Sequence, residues 1–224
     1  LKKGRAKTCD VSVFARMRAA YIAICERQMA KLQHEIAVEK ATHDDDDLRD
    51  LEAAAAALAA KIAARKLTDE VEETGALPAE APFYAEHGIE LFADPDEAAA
   101  LFLATDERSL RGLLAAHLDR ARPGDYVALC AFLEMNAENE AAMAELRNAV
   151  SKVTGVATTL GFGPRFLHST GQAHKGGPAT GLFLQFTDRP SADLPVPNRR
   201  LTFGQVIAAQ ARGDFEVLTI RGRR

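Results

Sequence analysis

The sequence predicts an α/β protein: a parallel sheet flanked by helices and preceded by a long N-terminal helical arm. Three observations carry this. Residues 11–71 hold neither proline nor glycine and are rich in Ala, Leu, Glu, Lys, Arg and Gln, all good helix formers. Beyond residue 96, helical and strand-like segments alternate, the pattern of an open α/β sheet. The stretch DYVALCAFL, residues 125–133, is almost continuously apolar, as a parallel strand buried on both faces must be.

In the arm, Phe14, Met17, Tyr21, Ile24 and Cys25 recur at helical spacing and form one apolar stripe. Leu32 and Ile36 extend it. The four aspartates at 44–47 interrupt the arm and offer N-caps and negative charge to a second helix. That helix continues through Leu48, Leu51, Leu58, Ile62 and Leu67, so an antiparallel pair is expected. The alanines at 53–57 have high propensity but little volume, which suits close packing. Residues 1–71 are therefore the arm. Residues 72–96 carry three prolines and two glycines and read as a linker. Residues 97–224 form the lobe, with helices at 97–121, 139–154 and 203–212 and strands at 126–133, 157–161, 182–187 and 215–219.

The composition excludes several function classes. A net charge of −4 is wrong for a broadly basic nucleic-acid surface. No apolar run is long enough for a membrane span, and the basic start at Lys2, Lys3 and Arg5 leads into charged sequence rather than a signal peptide's apolar stretch. The expected location is cytoplasmic. Cys9, Cys25 and Cys130 are odd in number and widely spaced, which argues against both disulfides and a zinc site. Cys130, inside the apolar strand, reads as an inert core thiol.

In a strand, helix, strand unit of right-handed crossover, ligands gather at the carboxyl edge of the sheet. The segment that follows the second lobe strand, residues 161–181, has six glycines, two prolines, two histidines, an arginine and a lysine. Gly161 and Gly163 permit close backbone approach, and Pro164 suits a first helical position whose N-terminus would favour an anion. His168, Gln172 and Lys175 follow at steps of four and three, a spacing that lets them share one helical face. Arg165 reads either as an anion ligand or as a partner for a helix-end carboxylate. His174 and Lys175 are expected at the rim, where Lys175 could meet a phosphate as a point charge. The bland reading is a polar exposed turn. Glu134, after the first strand, reads as a cap on the next helix, and His117 as a favourable charge at a helix C-terminus.

The run Phe166-Leu167-His168-Ser169-Thr170-Gly171-Gln172 is similar to the His-Ser-x-Gly-Gln segment of bacterial glucose-6-phosphate isomerases. With GFGPR before it and PATGLFLQFT after it, it most resembles the C-terminal lobe of the isomerase part of transaldolase/phosphoglucose isomerase fusions. RPGDYVALCAFL, LTDEVEETGALPAEAPFY and the C-terminal LPVPNRRLTFGQVIAAQARGDFEVLTIRGRR resemble that family too. The likeness covers roughly residues 61–224. It implies a sugar-isomerase (SIS)-type sheet and interconversion of glucose 6-phosphate and fructose 6-phosphate in glycolysis and gluconeogenesis, with no metal or organic cofactor.

The resemblance implies that His168 helps to open the sugar ring by proton transfer, for which imidazole's pKa is suited, and that Lys61 assists at the ring oxygen. Arg165, Gln172 and Lys175 would bind substrate. A glutamate moves the proton between C1 and C2 through an enediolate, but that residue and the phosphate loop belong to a first lobe that residues 1–50 do not resemble. The family's phenylalanine-aspartate-glutamine-proline turn before the lysine is also replaced, by Glu52 and the alanine tract. The expectation is thus a partial isomerase, inactive alone, whose partner is a homo-oligomer mate or the missing lobe. The competing reading is a non-catalytic sugar-phosphate-binding or helical interaction protein, in which the arm pairs with another chain. A third is a truncated or rearranged gene product.

Overall fold

The computed structural model describes residues 11–42, 45–189 and 192–224, and leaves aside the side chains of residues 11–18, 42, 45, 46 and 168. Two long helices open the described chain, α1 (Val11–Thr42) and α2 (Asp45–Thr74). Glu26 of α1 pairs with Lys66 of α2 at 3.7 Å, while Lys40 pairs with Glu52 at 3.3 Å. The early part of one helix thus faces the late part of the other, the expected antiparallel pair. The second helix begins within the aspartate run, at Asp45. Asp44 as cap lies outside the described residues, as do the side chains of Phe14 and Met17.

α2 is more than an arm. Its alanines Ala56 and Ala60 are buried with Val217 of the last helix, and two glycines let neighbouring helices reach its backbone. A Cβ on Gly213 would lie 2.6 Å from Ala64 N, and one on Gly176 would lie 2.0 Å from the Ala53 Cα. Only small residues on both sides permit such approach, so the alanine tract is a packing surface. α1 touches the rest of the lobe chiefly through α2 and leaves Tyr21, Ile24 and Val38 exposed.

The expected linker holds a β-hairpin. β1 (Tyr84–Glu86) and β2 (Ile89–Leu91) pair antiparallel across His87 and Gly88, both at positive φ (51° and 82°), the backbone that a two-residue hairpin turn of matching twist needs. The single helix expected over 97–121 is two, α3 (Pro95–Ala104) and α4 (Leu110–Leu118). Asp94 caps α3, with Pro95 in its first turn, and Ser109 caps α4 by accepting from Gly112 N. Leu101, Leu113 and Ala116 close a small core against Phe83, Tyr84 and Leu91.

The sheet is three-stranded and parallel, in the order β4-β3-β5, with β3 (Tyr126–Phe132), β4 (Ala157–Phe162) and β5 (Gly181–Thr187). Every residue of β3 after Tyr126 is buried. Val127, Leu129 and Ala131 meet Met143 and Val150 of α5 (Ala137–Thr154) on one face. Ala128, Cys130 and Phe132 meet Phe166 and Ala211 on the other. Period-two alternation thus feeds two cores. α5 runs from an Asn136 cap to Gly155 in the left-handed region (φ 68°).

The last helix, α7 (Phe203–Ile220), begins at a Thr202/Gln205 capping box. It continues through the residues expected as a strand at 215–219, so that strand does not exist. α6 (Thr170–Gly176) lies between β4 and β5. No helix among the described residues is long and apolar enough to cross a membrane.

Candidate functional site

Consecutive strands leave β3 first to one side and then to the other, so the sheet reverses direction at its centre. In such sheets ligands settle beyond the carboxyl ends of the strands near the reversal. Residues 163–176 begin at that edge, directly after β4. Gly163 N donates to Ala131 O at 2.7 Å. A Cβ on Gly163 would lie 2.7 Å from the Phe132 ring, and one on Gly161 would lie 3.2 Å from Phe166. The close approach these glycines permit is therefore made by the protein's own aromatic rings.

A short 3-10 turn (Arg165–His168) follows, then Ser169 breaks the helix before α6 begins. His168 ends the turn and Gln172 is exposed on α6, whereas Lys175 points inward. The outward face expected for Gln172 and Lys175 is absent because Lys175 is drawn into the core by Asp214, and His168, whose side chain lies outside the described residues, stands on the preceding turn rather than on α6. Arg165 is exposed and directs Nη2 to the Met135 sulfur at 2.7 Å, rather than to a carboxylate. The turn and α6 are too short to make a strong N-terminal anion site.

Lys175 differs most from its expected rim position. It is 1% exposed and forms an ion pair with Asp214 of α7, itself 2% exposed. Burial pushes the Asp214 carboxyl above its ordinary range, only partly offset by the Lys175 charge. The ammonium is not available to a phosphate. His174 is also buried. Its Nδ1 lies 3.1 Å from the Tyr126 hydroxyl, and its ring packs on Phe183 at 5.3 Å between centroids. Burial first, and the Lys175 charge second, bring the His174 pKa down to about 4, so the ring is neutral near neutral pH.

Cys130 sits beside this pair, and burial, reinforced by the Asp214 charge, pushes its thiol up to about 12. It is an unreactive core thiol, as expected. The end of α6 is held from outside. Arg221 Nε and Arg223 Nη2 donate to Lys175 O at 3.1 and 2.8 Å, Arg223 also reaches Gly177 O, and Arg221 pairs with Glu52 of α2 at 3.1 Å.

Lys61 lies exposed in the middle of α2, without a hydrogen bond or ion pair among the described residues. α6 meets α2 at Ala53, and Lys61 is eight residues further on, roughly 12 Å along a helix. Glu134 is exposed and does not cap α5; Asn136 does, and Glu134 contributes its carbonyl to Asn136 N and Asn139 Nδ2. His117 is buried rather than a charged helix end. Burial and then the Arg120 charge lower its pKa to about 4, against the opposing pull of Glu97 and a hydrogen bond to the Phe183 backbone.

Asp214 and Tyr126 escaped the sequence reading. Asp214 falls between the expected helix and the expected strand, which hides its place on the buried face of α7 with Ala211, Val217 and Leu218. Among the described residues no group of three His, Cys, Asp or Glu could hold a metal ion.

Fold and site together define a mixed α/β protein whose three-stranded parallel sheet is flanked by helices and carries a histidine-containing turn at its carboxyl edge. The chain has no significant match among protein-family models, curated proteins or solved structures.

Proposed function

We propose that this chain is the histidine-bearing lobe of a sugar-phosphate aldose–ketose isomerase of glucose-6-phosphate isomerase type, with a SIS-type sheet, and that it binds glucose 6-phosphate and fructose 6-phosphate. The observation that supports the reading is the position of the His-Ser-x-Gly-Gln segment. It follows β4 at the carboxyl edge of a parallel sheet, where the backbone turns sharply and Gln172 faces solvent.

In this reading His168 moves a proton during opening of the sugar ring, and Gln172 and Arg165 contact the sugar or its phosphate. Lys175 has no direct part, because its charge is spent on Asp214. Lys61 would have to reach substrate from α2, which leaves it the weaker of the two catalytic assignments. The proton shuttle between C1 and C2 needs a carboxylate, and the resemblance places that residue in a first lobe to which it matches no residue here. Loss of a general base alone costs on the order of a hundredfold or more in rate, so binding is the activity expected of the lobe.

Calorimetric titration with fructose 6-phosphate tests this, beside a coupled assay for glucose 6-phosphate formation. Saturable binding that His168→Ala and Gln172→Ala each weaken about tenfold supports the reading. Absence of saturation at millimolar sugar phosphate removes it. Binding without turnover identifies a partial isomerase, and turnover abolished by His168→Ala identifies a complete one. A helical interaction role finds support in one observation, the exposure of Tyr21, Ile24 and Val38 along α1.

A further inference from the structure

A lysine and an aspartate buried this fully are expensive to keep, since neither charge meets water. Apolar residues of similar volume in place of such a pair commonly leave a protein as stable or more so, whereas removing one partner strands the other charge. What the pair supplies that apolar contact does not is a single point of attachment. Here that point lies beneath the beginning of α6. The Lys175 side chain runs back along its own helix, so that a Cβ on Gly171 would come within 3.3 Å of Nζ. The ammonium therefore sits under the backbone between the His168 turn and Gln172, anchored to Asp214 of α7. The far end of α6 is fixed separately, by Arg221 and Arg223 on its last carbonyls and by Tyr126 on His174.

We propose that Lys175 and Asp214 are positioning residues, a buried latch that holds α6 in one register on α7 and thereby sets where the His168 turn and Gln172 stand at the sheet edge. The inference rests on the sugar-phosphate reading for what the site binds, but not for the latch itself. An apolar contact between smooth helix faces would tolerate small sliding and rotation. A directional ion pair does not, and with both ends of α6 fixed the His168 turn and Gln172 keep a constant separation. Preorganisation of this kind lowers the ordering cost of binding.

The test is the double variant Lys175→Met/Asp214→Leu, which removes both charges and leaves none stranded, with Asp214→Glu as the conservative control. Two quantities are read on the full chain: affinity for fructose 6-phosphate by calorimetry, and amide hydrogen exchange at residues 168–172. The expected result is an unchanged melting temperature, affinity reduced at least tenfold, exchange at 168–172 accelerated at least tenfold, and both largely restored in the control. Equal affinity and equal protection in the double variant overturn the latch. So does failure of the double variant to fold, which would make the pair structural. If the wild type does not bind fructose 6-phosphate, the functional reading has failed, and exchange at 168–172 alone decides the latch.

Discussion

Acidification from pH 7.5 to 5 is expected to destabilise this protein through two histidines, His117 on α4 and His174 on α6. Both are buried, and both have a folded pKa of about 4 against an unfolded value of about 6.5. Between those values the unfolded chain binds protons that the folded chain refuses, so stability falls as pH falls. The full shift is worth about 3.4 kcal/mol per histidine, of which about 2 kcal/mol is lost by pH 5. Two histidines give roughly 4 kcal/mol, a large share of an ordinary domain's stability. Asp214 acts in the opposite sense, since its raised pKa makes the fold bind a proton more readily as pH falls. Glu52 and Asp125, both held below the usual carboxylate range, lose their contributions only at lower pH. Urea denaturation followed by circular dichroism at pH 7.5, 6 and 5 measures the effect. His117→Leu and His174→Leu should each remove about half of the pH-dependent loss, and the double variant nearly all of it. A midpoint that does not move between pH 7.5 and 5, or a loss that persists intact in the double variant, refutes the reasoning.

Two further outcomes test the packing. Gly213→Leu should lower stability by about 2 kcal/mol or more, because its Cβ would strike the α2 backbone at Ala60 and Ala64; an unchanged thermal midpoint would show that α2 and α7 are not in close contact. Cys25 and Cys130 should resist alkylation at pH 8 and react on unfolding, since both are buried. Peptide mapping by mass spectrometry checks this, and rapid labelling of native Cys130 would contradict its place in β3.

The parts of the fold that could be read in advance are those where local pattern and tertiary role coincide. β3 was legible because a strand covered on both faces has to be apolar throughout, and α1 and α2 because nothing in them breaks a helix. α7 was not legible beyond Arg212. Gly213 and Asp214 look like a helix end in isolation, yet one makes room for α2 and the other meets Lys175, so both serve partners distant in sequence. The hairpin was missed because its strands are three residues long and its turn is His-Gly rather than the commoner Asn-Gly. At the candidate site the sequence pointed to residues 161–181, but the rim position it gave Lys175 is not the one the side chain takes. Spacing of four and three assumes one continuous helix: the break at Ser169 puts His168 on a separate turn, and within α6 the long Lys175 side chain is drawn inward to Asp214 while Gln172 stays outside.

The contact between α2 and α7 also governs the order of events during synthesis. Glu52 and Arg221 are 169 residues apart, and all three strands of the parallel sheet are made between them. A ribosome delivers α2 long before its packing partners exist, so its alanine tract meets α6 at Ala53 and then α7 at Ala60 and Ala64 only after the sheet has been made. Contacts that span so much chain slow folding, and the seam between α2 and α7 is therefore among the last parts of the core to close.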